Sequence, residues 1–244
     1  MRTGGSFVKA MILAAGRGER MRPLTDERPK PLLEVGGRPL IEWLLGSLAR
    51  AGFREVVVNH AWLGEQIPTA LGDGRRFGLH IRYSAEGEAL ESGGGILRAL
   101  PLLGPEPFLV VNGDIWTDFD FSRPPVLDEQ ALASLILVPN PPQHRRGDFA
   151  LVPGATTSLD VLADPERLAA ADAPPRFTFS GIGVYRPEFF AGYEEGRFPL
   201  LPLLQRAAAA HRLRGRLYQG LWFDIGTPER LRDLDERLAA GAVG

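Results

Sequence analysis

Residues 11–33 read Met-Ile-Leu-Ala-Ala-Gly-Arg-Gly-Glu-Arg-Met-Arg-Pro-Leu-Thr-Asp-Glu-Arg-Pro-Lys-Pro-Leu-Leu, and the rest of the chain can be placed around them. The apolar run from Val8 to Ala15 has the length of a buried strand. After it, glycine alternates with arginine, and a lysine then stands between two prolines. Gly16 and Gly18 can turn the chain sharply and aim N–H groups at an anion. Arg20 and Arg22 offer forked donors to phosphate oxygens. Lys30 and Lys9 are the only lysines in the chain. Pro29 and Pro31 fix φ around Lys30 and hold its neighbours extended, so its ammonium leaves a stiff backbone. These features predict a phosphate site. It is not a P-loop, because Gly18 is followed by Glu19 and Arg20 rather than Lys-Ser/Thr, and it lacks the third glycine of a dinucleotide fingerprint, where this chain has Met21.

Working outward, Pro39–Ala49 has helical spacing and stops before Gly52, and Glu55–Asn59 reads as a short buried strand. Trp62–Leu71 predicts a second helix, Leu79–Tyr83 a third strand, Ile96–Leu103 a helix and Phe108–Val111 a fourth strand. This alternation argues for a parallel sheet with helices on both faces, and therefore for ligands at the carboxyl ends of its strands. The fourth strand runs into Asn112-Gly113-Asp114, where a carboxylate beside a glycine could hold a hard cation or simply close a turn. Glu86–Gly95 ends in three glycines whose N–H groups could face a ligand. Beyond residue 120 strands dominate, at Ala133–Val138, Asp148–Val152 and Phe177–Tyr185. A helix over Leu200–Ala210, a strand over Leu213–Tyr218 and Trp222-Phe223-Asp224-Ile225-Gly226-Thr227-Pro228 follow. In that last stretch Thr227 can cap, and Pro228 can begin, a closing helix through Leu238.

Length and composition bound the answer. A chain of 244 residues with 44% hydrophobic and 24% charged residues can bury a substantial core as one domain, 1–244. Residues 1–6 read as a tail, about 7–120 as a half of alternating strands and helices and about 121–244 as a strand-rich second half. A net charge of −2 gives no electrostatic case for nucleic acid, and the absence of cysteine removes disulfides and thiolate metal sites. No apolar run approaches the ~18 residues of a membrane span and the first ten residues carry no signal segment, so the cytoplasm is the expected location, with no membrane partner. Oligomeric state is left open, a monomer being compatible with everything above.

The pattern Leu-Ala-Ala-Gly-x-Gly-x-Arg-Met-x-Pro-Leu-Thr followed by Pro-Lys-Pro-Leu resembles the sugar-1-phosphate nucleotidylyltransferases, and the similarity extends through Val111-Asn112-Gly113-Asp114 and Trp222-Phe223-Asp224-Ile225-Gly226-Thr227-Pro228 over nearly the whole chain. The resemblance implies an α/β fold, Rossmann-like, with a mixed, mostly parallel sheet flanked by helices of the nucleotide-diphospho-sugar transferase type. No internal repeat suggests an appended β-helix domain. The resemblance makes about 7–120 a nucleotide-binding half and about 121–244 a sugar-binding half, and it implies a nucleoside triphosphate lying over Ala14, Ala15, Gly16 and Gly18, with Arg20 and Lys30 against its phosphates. Gly94 falls where the family touches the base. Asn112, Arg146, Asp148 and Gly181 fall on the sugar side, with Asn112 also near the nucleotide. Asp114 and Asp224 fall on the two Mg²⁺ ligands, consistent with two strand-end carboxylates converging on one oxygen-ligated ion. Arg20, Lys30, Asp114 and Asp224 are the expected catalytic set.

Within the family the likeness is to the branch that uses UTP and N-acetylmuramic acid α-1-phosphate in peptidoglycan recycling. A mannose- or glucose-1-phosphate enzyme using GTP or dTTP, or a non-catalytic nucleotide-sugar sensor, are the alternatives. His144-Arg145-Arg146 offers cations for the lactyl carboxylate of a muramic acid, with a solvated charged loop as the other reading. Many relatives carry a second lysine on the sugar side. This chain has none, so either the metal or an arginine must take over its role.

Overall fold

The computed structural model describes residues 9–154 and 159–241; the expected tail at residues 1–6 lies outside them. The opening apolar run forms β1 (Lys9–Leu13), with Ala10 and Ile12 facing one side of the sheet and Met11 the other. That alternation is what a strand buried on both faces requires. The hairpin β2 (Glu34–Val35) and β3 (Arg38–Pro39) leads into α1 (Leu40–Arg50), and β4 (Glu55–His60) follows. Then come α2 (Gln66–Leu71), β5 (His80–Ala85), α3 (Glu91–Leu103), β6 (Phe108–Asn112) and β7 (Ile115–Thr117). The second half holds β8 (Ala133–Val138), β9 (Phe149–Pro153), β10 (Leu159–Leu162), α4 (Pro165–Ala169), β11 (Arg176–Tyr185), α5 (Leu201–Ala209), β12 (Leu213–Leu217), β13 (Trp222–Asp224) and α6 (Pro228–Ala239).

Nine strands form one sheet in the order β5-β4-β1-β6-β11-β8-β12-β10-β9. Only β11 and β10 oppose the common direction, so the sheet is mixed and mostly parallel, as expected. Helices α1 and α2 cover the face carrying Ile12, Val56 and Val58, while α3 and α5 cover the face carrying Met11, Val57 and Val110. Fully burying each such side chain contributes about 1.5–3 kcal/mol before entropy.

Two helices differ from expectation. Helix α2 begins only at Gln66, because Leu63 takes φ 48 and Trp62 is drawn off the helical path. Its ring lies under the Arg17 guanidinium, 3.7 Å from the ring centroid, and its Nε1 donates to Thr25 O at 3.0 Å. Helix α3 begins at Glu91, earlier than periodicity indicates, so the three glycines lie in its first turn rather than in a loop. They permit contact: Gly93 packs on the Phe198 ring, Gly94 on Gly196, and Gly95 on Glu86 and Asn59.

The sequence reading placed a strand end at Asp224 but not its pairing, and that pairing positions the site. Strands β7 and β13 pair as an antiparallel ribbon, with Asp224 opposite Ile115. Ile225 N then donates to Asp114 O at 2.9 Å, which joins chain segments more than a hundred positions apart.

Candidate active site

The carboxyl ends of β1, β4 and β6 deliver Ala14, Asn59 and Asn112 to one cavity of about 370 Å³. Ala15, Gly16, Gly18, Arg20, Lys30 and Asp114 line it as well, so the expected triphosphate-binding stretch, apart from Gly94, is assembled in one place. The loop is tied down from several sides. Gly18 turns in the left-handed region at φ 69, and Thr25 Oγ1 donates to its carbonyl at 2.9 Å. Arg17 donates to Thr25 O and to Asp26, leaving the outward side of the loop bound to its own chain. The hydrogen bond from Arg17 holds the Asp26 carboxyl below its usual range, assisted by Arg22. Asn59 accepts from Ala14 N at 2.8 Å and donates to Glu86 at 2.6 Å, and Glu86 in turn accepts from Leu90 N.

Lys30 rises from a short 3-10 turn between its prolines, and its Nζ meets Asp114 Oδ2 at 2.6 Å. The lysine side chain is 11% exposed and the aspartate 36%, so the ammonium is sunk in the wall and the carboxylate faces the opening. Removing either partner of so deeply placed a pair would leave an uncompensated charge in the wall.

A second cavity, of about 360 Å³, continues from the first and shares Arg20, Asn112 and Asp114 with it. Trp222, Asp224 and Arg230 form one wall of it, and Gln143, His144, Thr178, Phe179 and Ser180 another. Arg230 Nη1 donates to Asp224 Oδ2 at 2.5 Å. The cleft therefore holds two aspartates, each matched to one cation, and Glu19 and Glu91 also line its first cavity. Among the described residues no cluster of three or more His, Cys, Asp or Glu side chains could hold a metal by itself.

Four residues named from sequence sit behind or beside these walls. Gly94 donates its N–H to Phe198 O at 3.1 Å and is buried, while Ala89, Glu91 and Ser92 line the cavity at that point. Gly181, at φ 80, is the bulge in β11, and its Cα lets the Asn112 side chain lie directly against the strand. Asp148 accepts from His144 Nε2 at 2.9 Å and from Phe179 N at 2.8 Å, so it holds two cavity residues in place without lining the cavity. Arg146 points outward. The tight turns from Pro141 to Gly147 bring Gln143 and His144 to the cavity wall, while Arg146 does not line it and its carbonyl accepts from Arg176.

Arg230 is the residue that the sequence reading missed. Thr227 Oγ1 accepts its backbone N–H at 3.4 Å as the α6 cap, which sets Arg230 in the first helical turn, next to the strand end bearing Asp224. The signal was present in Thr-Pro-Glu-Arg, but the direction of an arginine three residues past a cap depends on where the strand before it is paired.

A glycine-turn phosphate cradle at the ends of parallel strands, opening onto a second cavity across paired acids, defines a nucleotidyl-transferring α/β protein. The nucleotidyl transferase family model matches residues 9–147, more than half of the chain, and the chain belongs to that family. It is 51% identical over 232 residues to N-acetylmuramate alpha-1-phosphate uridylyltransferase of Neisseria meningitidis serogroup B, covering 93% of this chain and 96% of that one. The Caulobacter vibrioides protein of the same name is 36% identical, covering 94% of this chain and 96% of the relative. A crystal structure of a Bacillus anthracis protein assigned as a glucose-1-phosphate thymidylyltransferase shares the fold, with a TM-score of 0.76 over 95% of both chains at 18% identity. No helix among the described residues is long and apolar enough to cross a membrane.

Proposed function

We propose that the protein transfers a uridylyl group from UTP to N-acetylmuramic acid α-1-phosphate, giving UDP-N-acetylmuramate and pyrophosphate, a reaction that fits peptidoglycan recycling in the cytoplasm. The observation that carries this reading is the two-chambered cleft, in which one set of side chains, Arg20, Asn112 and Asp114, belongs to both chambers. The 51% identity to a uridylyltransferase of that specificity supports the choice of substrates.

In this reading a phosphate oxygen of the sugar phosphate forms a bond to the α-phosphorus of UTP, and the α–β anhydride bond breaks to release pyrophosphate. The second pKa of a phosphate monoester is about 6, so the nucleophile is already anionic and the protein needs no general base. What it must supply is charge compensation and alignment. Arg20 and Lys30 would bind the triphosphate, Lys30 at the α-phosphate. Asn112 would contact both substrates, with Gly181 keeping its side chain in place. The Glu91–Ser92 edge above Gly94 would meet the base. Asp148 would act through His144, which faces the sugar chamber, whereas Arg146 could reach a sugar only by swinging inward.

Asp114 and Asp224 would hold Mg²⁺. The donor chemistry fits: two hard carboxylates on one cavity, Asp224 at the end of β13 and Asp114 immediately before β7, would suit an ion that takes the rest of its shell from water and phosphate oxygens. When bound, the ion would offset phosphate charge as a Lewis acid. The test is pyrophosphate release measured over a panel of nucleoside triphosphates and sugar 1-phosphates. Turnover should be highest with UTP and N-acetylmuramic acid 1-phosphate. Preference for GTP with mannose 1-phosphate, or for dTTP with glucose 1-phosphate, would overturn the specificity, and turnover with no pair would overturn the activity.

A further inference from the structure

The geometry points to Arg230 as the residue that binds the phosphate of the incoming sugar 1-phosphate, an assignment that rests on the reading above. A sugar phosphate entering the second chamber brings up to two negative charges toward a triphosphate, and something in that chamber must receive them. The arginines lining it are Arg20 and Arg230. Lys30 lines only the nucleotide chamber, and Lys9 is spent elsewhere, with its ammonium on Leu102 O and Glu55.

The two guanidiniums meet at Gly226. A Cβ built there would run into Arg230 Nη2 and stand 3.2 Å from Arg20 Nη2, so both cations reach the same glycine. Arg20 forms no hydrogen bond or ion pair with any described residue. Arg230 is 21% exposed, and among the described residues its side chain bonds only Asp224, through Nη1. Like charges brought together without a shared carboxylate are stabilised by an anion between them. Arg20 faces both chambers and so stays with the triphosphate, whereas Arg230 faces only the sugar chamber. It thereby supplies, from the first turn of a helix, a cation to a chamber that no lysine lines.

The experiment compares Arg230→Met, Arg230→Lys and Gly226→Ala with the unaltered protein, varying each substrate in turn and measuring binding of N-acetylmuramic acid 1-phosphate by calorimetry without UTP. In Arg230→Met the KM for the sugar phosphate should rise at least about ten-fold, with the KM for UTP moving less than about two-fold, and calorimetric binding should weaken in parallel. Arg230→Lys should recover part of the loss. Gly226→Ala, whose new methyl meets only the far ends of flexible side chains, should shift the same parameter by a smaller factor, and it decides the matter if Arg230→Met does not fold. A loss confined to kcat would mean that Arg230 merely orients Asp224, and a loss falling on the KM for UTP would place it on the wrong substrate; either result overturns the assignment. If the unaltered protein turned over no substrate pair, the functional reading would fail by itself. Calorimetry across the sugar 1-phosphate panel would then judge Arg230, with equal binding to protein and variant overturning it.

Discussion

The two ends of the cleft use the same electrostatic device and build it differently. At the nucleotide end Lys30 meets Asp114 at 2.6 Å; at the sugar end Arg230 meets Asp224 at 2.5 Å. Lys30 stands on a proline-braced turn twelve residues after Gly18, so its place is set largely by local backbone. Arg230 stands on the first turn of α6, and its place depends on β13 finding β7 across the molecule. The contrast implies that the placement of Lys30 tolerates distant changes, while that of Arg230 is only as well formed as the two-stranded ribbon.

The largest expected effect falls on the rigid pair. Lys30→Met should lower kcat about 10²–10³-fold, the range for removing one preorganised charge from a reacting phosphoryl or acyl group. The KM for the sugar phosphate should change little, because Lys30 does not line that chamber. A kcat within three-fold of the original would show that the stiff lysine is a structural partner of Asp114 and nothing more. Next, Asp224→Asn should lower kcat about 10²-fold and raise the Mg²⁺ concentration for half-maximal activity about ten-fold, with Tm altered by only a few degrees, since Asp224 is partly exposed. Normal turnover at ordinary Mg²⁺ would remove Asp224 from the metal assignment.

The same contrast explains what could be read in advance. The strand at Lys9–Leu13, the glycine loop and Lys30 lie within 22 residues of one another, and there, as at the strand end before Asp114, the residue types carry the geometry: positive φ at Gly18, fixed φ at two prolines, alternation in the strand. Asp224 was legible as a strand end in a familiar motif. The partners that give Asp224 and Arg230 meaning were not legible, because β7 and β13 are three residues each, too short to show a period, and exist through pairing with one another. The glycines at 93–95 misled for a related reason. Glycine in a sequence signals freedom of φ and close approach alike, and here the second applies, with the segment at Gly196–Phe198 lying on them. Arg146 and His144 are two positions apart, and only the turn at Gly147 decides which of them faces the sugar chamber.

A smaller effect tests the sugar end from behind. Gly181 combines φ 80 with a side-chain neighbour, Asn112, whose Cγ would lie 2.6 Å from an added Cβ. Gly181→Ala should cost about 1–3 kcal/mol of stability from the strained backbone alone. Displacement of Asn112, which lines both chambers, should also raise both KM values. A variant with unchanged melting and kinetics would mean that β11 can shed its bulge, and that the sugar chamber is less dependent on long-range register than the comparison claims.

The smallest effects belong to the outer anchor of the glycine loop, where Arg17 lies on Trp62 and bonds Asp26. All three side chains face away from the substrates, so their loss should loosen the loop without removing a contact. Trp62→Ala should raise the KM for UTP about two- to five-fold, consistent with about 0.5–1 kcal/mol for an exposed cation–π contact, and leave the sugar phosphate KM unchanged. Asp26 adds a pH signature. Its folded pKa is lowered below the ordinary value of 3.8, first by the Arg17 hydrogen bond, so its contribution is full above about pH 4 and disappears as the pH falls through that lowered value. Asp26→Asn should therefore lower Tm by less than about 2 °C at pH 7, and the gap from the unaltered protein should close below pH 4. A gap that persisted well below that lowered value would show that Asp26 supports the loop by shape rather than charge, and would weaken the claim that the glycine loop is braced on its outer side by charge pairs within its own stretch of sequence.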